Sequence, residues 1–377
     1  MIIGIFGWYG YYNLGDDLIL DTFIKALNKE THGATIEVFA KPDAIPYLRT
    51  VYTNVNFIGR TAKNLIKYVS SRPDILIIGG GGVFPHKNAK KVAFFAALAK
   101  IMRIRRKKVG LIGVGLSYNS LSSKDSQILL KSLLKSCNVA ALRQQLPKEL
   151  ASCVPKKSNI INCTDLILSS CALQGVKITN TKEKNIIVVA LANIFSIEKQ
   201  AELEVFANTV ARLIKNAINL GYTIKLVPFM NQNDQKLHDI VAAKVNETKC
   251  ISVPYEPEFN NAVSIIANCK AAICMRFHAA VIALRFTKPV FAISYSDKVE
   301  ILMQQYELSD YCKKYSIDTS YYGSIADIKY TELINGFESI IKNETEIIKA
   351  INKNQEKMQK LADKNIEAIR ALLVESI

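Results

Sequence analysis

The chain has 377 residues, 49% of them hydrophobic and 22% charged, a balance typical of a soluble protein with enough apolar residues for two domains. No apolar run approaches the roughly 18 residues that a membrane-spanning helix needs, and the first residues do not have the form of a signal peptide. The net charge of +16 favours polyanionic partners such as anionic lipid, nucleic acid or phosphate-bearing substrates.

The eight cysteines and four histidines are not spaced as in a zinc site, because the sequence has no C-x-x-C, H-x-H or H-E-x-x-H pattern. Most of the cysteines lie in apolar stretches, which predicts reduced thiols in the core of a cytoplasmic protein. We therefore expect no metal site.

The first half of the chain alternates strands with helices. Glycine-rich turns follow the first and fourth strands, at residues 7–15 and 79–82. This alternation predicts a parallel sheet that is covered by helices on both faces. Strands are predicted near residues 2–6, 35–39, 55–58, 74–78, 109–113 and 139–143, and helices near 16–27, 42–49, 62–70, 87–108 and 125–136.

A polar stretch between residues 169 and 183 indicates a domain boundary, after which the same alternation restarts. Strands are predicted at 186–191, 223–228, 250–253, 270–274 and 290–294, with helices between them and a helical tail from about 328 to 373. The fold class is therefore α/β, with two Rossmann-like domains at 1–176 and 177–345, a C-terminal helix at 346–377 and a GT-B type architecture.

The helix predicted at 87–108 is strongly basic, since no acidic residue occurs between Asp74 and Asp125. It also carries an apolar stripe. Such a helix can lie on an anionic membrane surface, or it can face the core with a solvated basic rim. We expect no nucleic acid partner, because no nucleic-acid-binding motif accompanies the charge.

Two cations and a histidine are predicted at one edge of the second sheet. Arg276 and His278 lie between the strand at 270–274 and a helix at 279–285, and Lys298 follows the next strand. Ligands of open α/β sheets collect at this edge, where helix amino termini favour anions. Each residue alone has an ordinary structural explanation, but the three together indicate a site for a small, multiply charged anion.

The glycine run at 79–82 has neither the P-loop pattern nor the dinucleotide-binding pattern. Its backbone N–H groups, at Gly80 and Gly81, can approach a charged or sugar ligand, or the run can simply allow tight packing. Asn13 and Asp16 can bind sugar hydroxyl groups or cap a turn and a helix. His86 follows the glycine run and is a further candidate for contact with the ligand.

Four sequence blocks in the same order resemble the polysaccharide pyruvyl transferase family. They are GWYGYYNLGDD at 7–17, DILIIGGGG at 74–82, GVGL at 113–116 and RFH…PVFAISYSDK at 276–298. The resemblance implies a GT-B-like fold and transfer of pyruvate from phosphoenolpyruvate to a sugar as a cyclic ketal. It also implies an acceptor side in the first domain and a donor side in the second.

The same resemblance associates Arg143, His278 and Lys298 with phosphoenolpyruvate. The family usually continues after the first of these with an acidic residue and a serine, whereas this chain has Gln144 and Gln145. Arg143 is therefore either a donor-binding residue or a surface arginine at the start of a helix.

The residue chemistry agrees with this donor, which carries a carboxylate and a phosphate that arginine and lysine can bind. Histidine exchanges protons near neutral pH, so we expect His278 to act as general acid and base. Arg276 is expected to assist catalysis and, with Lys298 and Arg143, to hold the donor. These side chains supply the positive charge, so we expect phosphoenolpyruvate as co-substrate and no separate cofactor.

The expected acceptor is a sugar of a polysaccharide or of its lipid-linked precursor, which the resemblance associates with lipid diphosphates at the cytoplasmic membrane face. The candidate acceptor-binding residues are Asn13, Asp16, Gly80, Gly81 and His86. The basic helix at 87–108 suits a peripheral position on an anionic membrane.

Three other functions fit parts of the sequence. A GT-B glycosyltransferase would share the fold and the anion site but would bind a nucleotide sugar. A non-catalytic protein that docks on an anionic surface would need the charge but not Arg276 and His278. A divergent member of the family would use a different acyl or phosphorylated donor.

Overall fold

The computed structural model describes residues 1–84, 89–116, 124–146, 159–176, 185–195, 199–314 and 329–374. The chain divides into two compact units. The first contains Met1–Tyr12, Asp16–Leu173 and Met358–Ile377, and the second contains Asn13–Gly15 and Gln174–Lys357. The sequence predicted domains at 1–176 and 177–345 and a separate helix at 346–377, whereas here the last helix is divided between the two units.

The first unit is built on a parallel sheet with the strand order β3-β2-β1-β4-β5-β6-β7. Buried apolar runs form its central strands, as a sheet covered on both faces requires. The strands are β1 Ile2–Tyr9, β2 Thr35–Ala40, β3 Val55–Gly59, β4 Ile75–Phe84, β5 Lys108–Leu116, β6 Val139–Leu142 and β7 Asn159–Asn162. The helices are α1 Leu14–Glu30, α2 Ile45–Val51, α3 Ala62–Ser71, α4 Ala89–Ile104 and α5 Lys124–Ser136.

The second unit repeats this topology in a sheet with the order β10-β9-β8-β11-β12-β13, again with parallel pairing. Its strands are β8 Ile186–Ala190, β9 Thr223–Leu226, β10 Cys250–Ser252, β11 Ala271–Cys274, β12 Val290–Ser294 and β13 Cys312–Lys314. Its helices are α6 Gln200–Asn219, α7 Asn231–Val245, α8 Phe259–Asn268, α9 Phe277–Arg285, α10 Asp297–Gln305 and α11 Tyr330–Lys342, followed by α12 Glu344–Leu373.

The predicted α/β class, the parallel sheets and the C-terminal helix are confirmed. One local prediction is wrong, because the glycine run at 79–82 is not a turn but lies within β4. Gly79 pairs with Ile112 and Gly81 with Val114 of β5, so the strand continues through the run. Glycine removes the side chains that mark a strand in sequence, but it does not prevent backbone pairing.

The apolar face of α4 packs in the core of the first unit. Val92, Phe95, Leu98 and Met102 are buried, and Phe94 and Ile101 pack against the same core cluster. Lys90, Lys100 and Arg103 are exposed on the other side. The structure therefore agrees with the core-facing interpretation of this helix, and any contact with a membrane surface would depend on charge.

None of the helices in the described ranges is long and apolar enough to cross a membrane.

The last part of α12 completes the first unit. A Cβ atom on Gly110 of β5 would lie 2.2 Å from the Leu372 side chain, so the helix packs directly on the sheet. The buried Asn365 donates from Nδ2 to the carbonyl of Thr164 at 3.0 Å. Lys108 donates to the carbonyl of Leu372 at 3.0 Å.

Leu372→Ala should destabilise the first unit, because Leu372 is fully buried and truncation leaves a cavity. We expect the free energy of unfolding to fall by about 2–5 kcal/mol. Urea unfolding followed by tryptophan fluorescence measures this change, since the only tryptophan of the chain, Trp8, lies in the first unit. Val374→Ala is the matched control, because Val374 is 67% exposed. Equal losses in the two variants would contradict this packing.

Candidate active site

The carboxyl edge of the second sheet gathers three of the predicted residues. Arg276 is the N-cap of α9, directly after β11, and His278 lies in the first turn of that helix. Lys298 lies in the first turn of α10, directly after β12. Strands β11 and β12 are paired neighbours, and the three side chains are all partly exposed. The order of the strands reverses between β8 and β11, which is where open α/β sheets bind ligands.

Arg276 forms a bidentate ion pair with Asp234 of α7. Its Nε donates to Oδ2 at 2.8 Å, and one terminal nitrogen donates to Oδ1. Asp234 is fully buried, and the Arg276 side chain is 16% exposed. The Asp234 carboxylate also accepts hydrogen bonds from the backbone N–H groups of Asn193, Phe229 and Met230. This pair therefore links the turn after β11 to the segments that follow β8 and β9.

His238 lies one helical turn after Asp234 and is also fully buried. Its Nε2 accepts a hydrogen bond from the backbone N–H of Leu191 at 3.1 Å. Desolvation lowers the pKa of His238 to about 4, so the imidazole is neutral near pH 7. Because Nε2 accepts, the proton of the neutral ring must be on Nδ1.

The backbone of Gly15 lies directly against the imidazole of His278. A Cβ atom on Gly15 would be 1.8 Å from Nδ1 and 2.3 Å from Cγ of His278, so no other residue fits without displacing the ring. Asn13 accepts from the N–H of Gly15 at 3.2 Å, and Leu14 donates to the carbonyl of Phe229 at 2.9 Å. The short segment 13–15 thus covers His278 within the second unit.

The loop after β12, which leads to Lys298, is held by polar contacts. The Ser294 hydroxyl is 2.7 Å from the carbonyl oxygen of Ser296 and 3.0 Å from Oε1 of Glu300. Glu300 in turn pairs with Lys314 of β13 at 3.2 Å. These contacts fix the start of α10 and so the backbone position of Lys298.

In the first unit, Arg143 follows β6 and is paired with Asp165, which follows β7. The two charged groups approach to 2.6 Å, and the side chains are 10% and 0% exposed, respectively. Arg143 also donates from Nε to the carbonyl of Gly113 at 2.8 Å. Asp165 accepts from the N–H of Ile167 at 2.9 Å. Arg143 is therefore held in place and nearly buried, unlike the surface arginine that was the alternative expectation.

Three of the candidate acceptor-binding residues meet in the first unit. Gly80 and Gly81 have positive φ angles, of 77° and 92°. A Cβ atom on Gly81 would lie 2.8 Å from Oδ1 of Asp16, and one on Gly80 would lie 2.7 Å from the hydroxyl of Tyr9. The glycine run therefore approaches Asp16 closely.

The other two candidates are not in this group. Asn13 belongs to the second unit, where it holds the turn at Gly15 and pairs with Met230. His86 lies outside the described residues. Asp17 follows Asp16 and accepts from the N–H of Gly10 at 3.3 Å, and desolvation raises the pKa of Asp17 to about 7.

Sequence reasoning gave no site role to Asp234, His238, Asp165 or Gly15. A weak signal existed for Asp234 and His238, because they are spaced by four residues on a predicted helix that follows a strand. Asp165 also follows a short strand, but β7 was not predicted. Gly15 gave no signal, since its role depends on the absence of a side chain beside a residue that is distant in sequence.

The two parallel Rossmann-like units have the topology of a GT-B type fold. The chain belongs to the polysaccharide pyruvyl transferase family, whose family model matches residues 13–297. No curated protein matches the chain by sequence.

Three solved structures illustrate the similarity in fold. The UDP-GlcNAc 2-epimerase from Neisseria meningitidis, bound to UDP-GlcNAc, has a TM-score of 0.65 at 13% identity, over 98% of this chain and 99% of its own. S. aureus MnaA with UDP has a TM-score of 0.61 at 12% identity, over 98% of this chain and 93% of its own. A UGT transferase from Siraitia grosvenorii in complex with UDP has a TM-score of 0.56 at 10% identity, over 99% of both chains. At these identities the likeness concerns the fold.

His238→Gln should reduce the loss of stability at acid pH. The unfolded chain binds a proton at this position below its ordinary pKa of 6.5, whereas the folded protein binds it only below about 4. Stability is therefore lost as the pH falls from about 6.5 to about 4, by up to about 3 kcal/mol. A glutamine oxygen can still accept from Leu191 but does not titrate. Urea unfolding at about pH 7 and about pH 4.5 compares the wild type with His238→Gln. The same pH dependence in both proteins would contradict a buried, neutral His238.

Proposed function

We propose that the protein transfers the pyruvyl group of phosphoenolpyruvate to two hydroxyl groups of a saccharide, forming a cyclic ketal and releasing phosphate. The observation that carries this proposal is the family match over residues 13–297, which includes His278 and ends one residue before Lys298. The placement of both side chains at the carboxyl ends of β11 and β12 supports it.

The donor carries three negative charges when fully ionised, so its site needs positive charge. Arg276 and Arg143 are each paired with a buried aspartate, which fixes the plane of the guanidinium group but offsets its charge. We expect Lys298 to contribute one positive charge toward the donor. Arg276 would direct N–H groups toward the carboxylate or phosphate oxygens of the donor, and Arg143 remains a candidate for the same role.

The reaction begins with a proton transfer from protonated His278 to the methylene carbon of the donor. The resulting oxocarbenium-like carbon is attacked by one acceptor hydroxyl group, which loses its proton. The bond between that carbon and the phosphate oxygen then breaks, and a second hydroxyl group closes the ketal ring. One hydroxyl proton returns to His278, and the other leaves with the phosphate, so the protons balance.

The acceptor would bind beside Asp16, Gly80 and Gly81, where a carboxylate and glycine backbone can reach sugar hydroxyl groups. Asn13 and His86 remain candidates for the same role. A lipid-diphosphate-linked acceptor would place the reaction at the cytoplasmic face of a membrane. The exposed Lys90, Lys100 and Arg103 of α4 would favour an anionic surface there.

His278→Ala should abolish phosphate release from phosphoenolpyruvate in the presence of acceptor, with a loss of about 100- to 10,000-fold. A coupled phosphate assay measures turnover, and thermal shift tests donor binding, which Lys298→Gln should weaken. His32→Ala is the matched control, since His32 lies in the loop before β2.

The same assays separate the proposal from the glycosyltransferase alternative. Phosphoenolpyruvate should raise the unfolding temperature, whereas UDP- and GDP-sugars should not. Stabilisation by a nucleotide sugar alone, or near-normal turnover by His278→Ala, would overturn the proposal.

Gly15→Ala should lower turnover at least about tenfold, because the new methyl group displaces the His278 ring. The NMR resonances of the His278 imidazole should shift in this variant. Gly33→Ala is the control, because a Cβ atom there meets nothing within 4 Å and adds only the strain of its positive φ angle. Unchanged turnover and unchanged imidazole resonances in Gly15→Ala would contradict the close contact.

A further inference from the structure

Aromatic and basic side chains form a partly exposed cluster at the carboxyl edge of the first sheet, which we name the Trp8 surface. Its members come from the ends of three strands and from α4, because the carboxyl ends of parallel strands meet at one edge. They are Trp8, Tyr11, Tyr12, Lys41, Arg60 and Lys91, and all six are partly exposed.

Arg60 is the centre of this surface. Its guanidinium carbon lies 4.1 Å from the ring centre of Trp8, 4.8 Å from that of Phe6 and 5.3 Å from that of Tyr11. One terminal nitrogen donates to the hydroxyl of Tyr11 at 2.9 Å. Trp8 and Tyr11 contact each other edge to face, with ring centres 5.2 Å apart. The rings therefore hold the guanidinium group in one place.

Two lysines extend the positive surface on either side. The ammonium group of Lys91, on α4, lies 5.2 Å from the ring centre of Trp8. Lys41 lies 5.3 Å from the ring centre of Tyr12 and pairs with Asp43 at 2.8 Å. Cation–π contacts of this kind hold ammonium groups near the rings.

Arg60 differs in its charge balance from four other arginines of the protein. Arg72, Arg143, Arg276 and Arg370 each form an ion pair with a carboxylate. Within the described ranges no carboxylate pairs with Arg60, and its buried Nε has no hydrogen-bond partner. Aromatic rings offset a cation only in part, typically by about 0.5–2 kcal/mol. The site is therefore suited to an anion.

We propose that the Trp8 surface binds a phosphorylated saccharide, with its phosphate or diphosphate group between Arg60 and Lys91. A guanidinium group held in a fixed plane suits the bidentate recognition of phosphate. Tyr11 and Tyr12 are partly exposed, and aromatic rings of this kind can pack against the C–H bonds of a sugar. The saccharide part of this inference rests on the proposed function. The phosphate part rests on the positive charges of Arg60 and Lys91.

The single tryptophan of the chain makes this surface directly measurable, because its fluorescence reports on Trp8 alone. We would titrate the full chain with N-acetylglucosamine 1-phosphate, N-acetylglucosamine and inorganic phosphate, without phosphoenolpyruvate. The sugar phosphate should give a saturable fluorescence change at a lower concentration than either of the other two compounds. Arg60→Gln should weaken this binding at least about tenfold, with Arg103→Gln as the matched control.

Each result bears on the proposal. No saturable change, or equal affinity in Arg60→Gln, would overturn the site, and phosphate binding as tightly as the sugar phosphate would overturn the saccharide part. Thermal unfolding checks that each variant is folded. Stabilisation by phosphoenolpyruvate is measured in parallel and should be unchanged in Arg60→Gln. If phosphoenolpyruvate does not stabilise the wild type, the proposed pyruvyl transfer is contradicted. The result of the sugar-phosphate titration would not be affected.

Discussion

The buried ion pair between Arg276 and Asp234 is the interaction on which the arrangement of the second unit's sheet edge depends. Asp234 is fully buried, yet three backbone N–H groups and a guanidinium group satisfy its carboxylate. Removing one member of such a pair typically costs about 3–5 kcal/mol, because the remaining charge stays buried. The pair thereby determines the entry into α9, and with it the direction of His278.

The first unit contains a similar ion pair, since Arg143 is paired with the buried Asp165 at the carboxyl edge of its own sheet. In both units the arginine supplies oriented N–H groups more than net charge.

The sequence predicted the α/β class, the parallel sheets and the residues that gather after β11 and β12, because these depend on local periodicity and on strand ends. It did not predict the contacts between residues that are distant in the chain. Asp234 looked like an ordinary helix start, and the fit of Gly15 against His278 has no sequence pattern. The glycine run in β4 was misassigned, since glycine hides the side-chain alternation of a strand. The strands β7 and β13 were missed because each has only three or four residues, too few to show an alternation.

The division of α12 between the two units has a consequence for how the protein is made. The first unit contains residues from Met358 onward, which are synthesised after the whole second unit, and Leu372 packs on β5. Until these residues leave the ribosome, the amino-terminal sheet lacks this cover and leaves apolar surface in water. The amino-terminal unit can therefore reach its full stability only after α12 has emerged, although most of its residues emerge earlier.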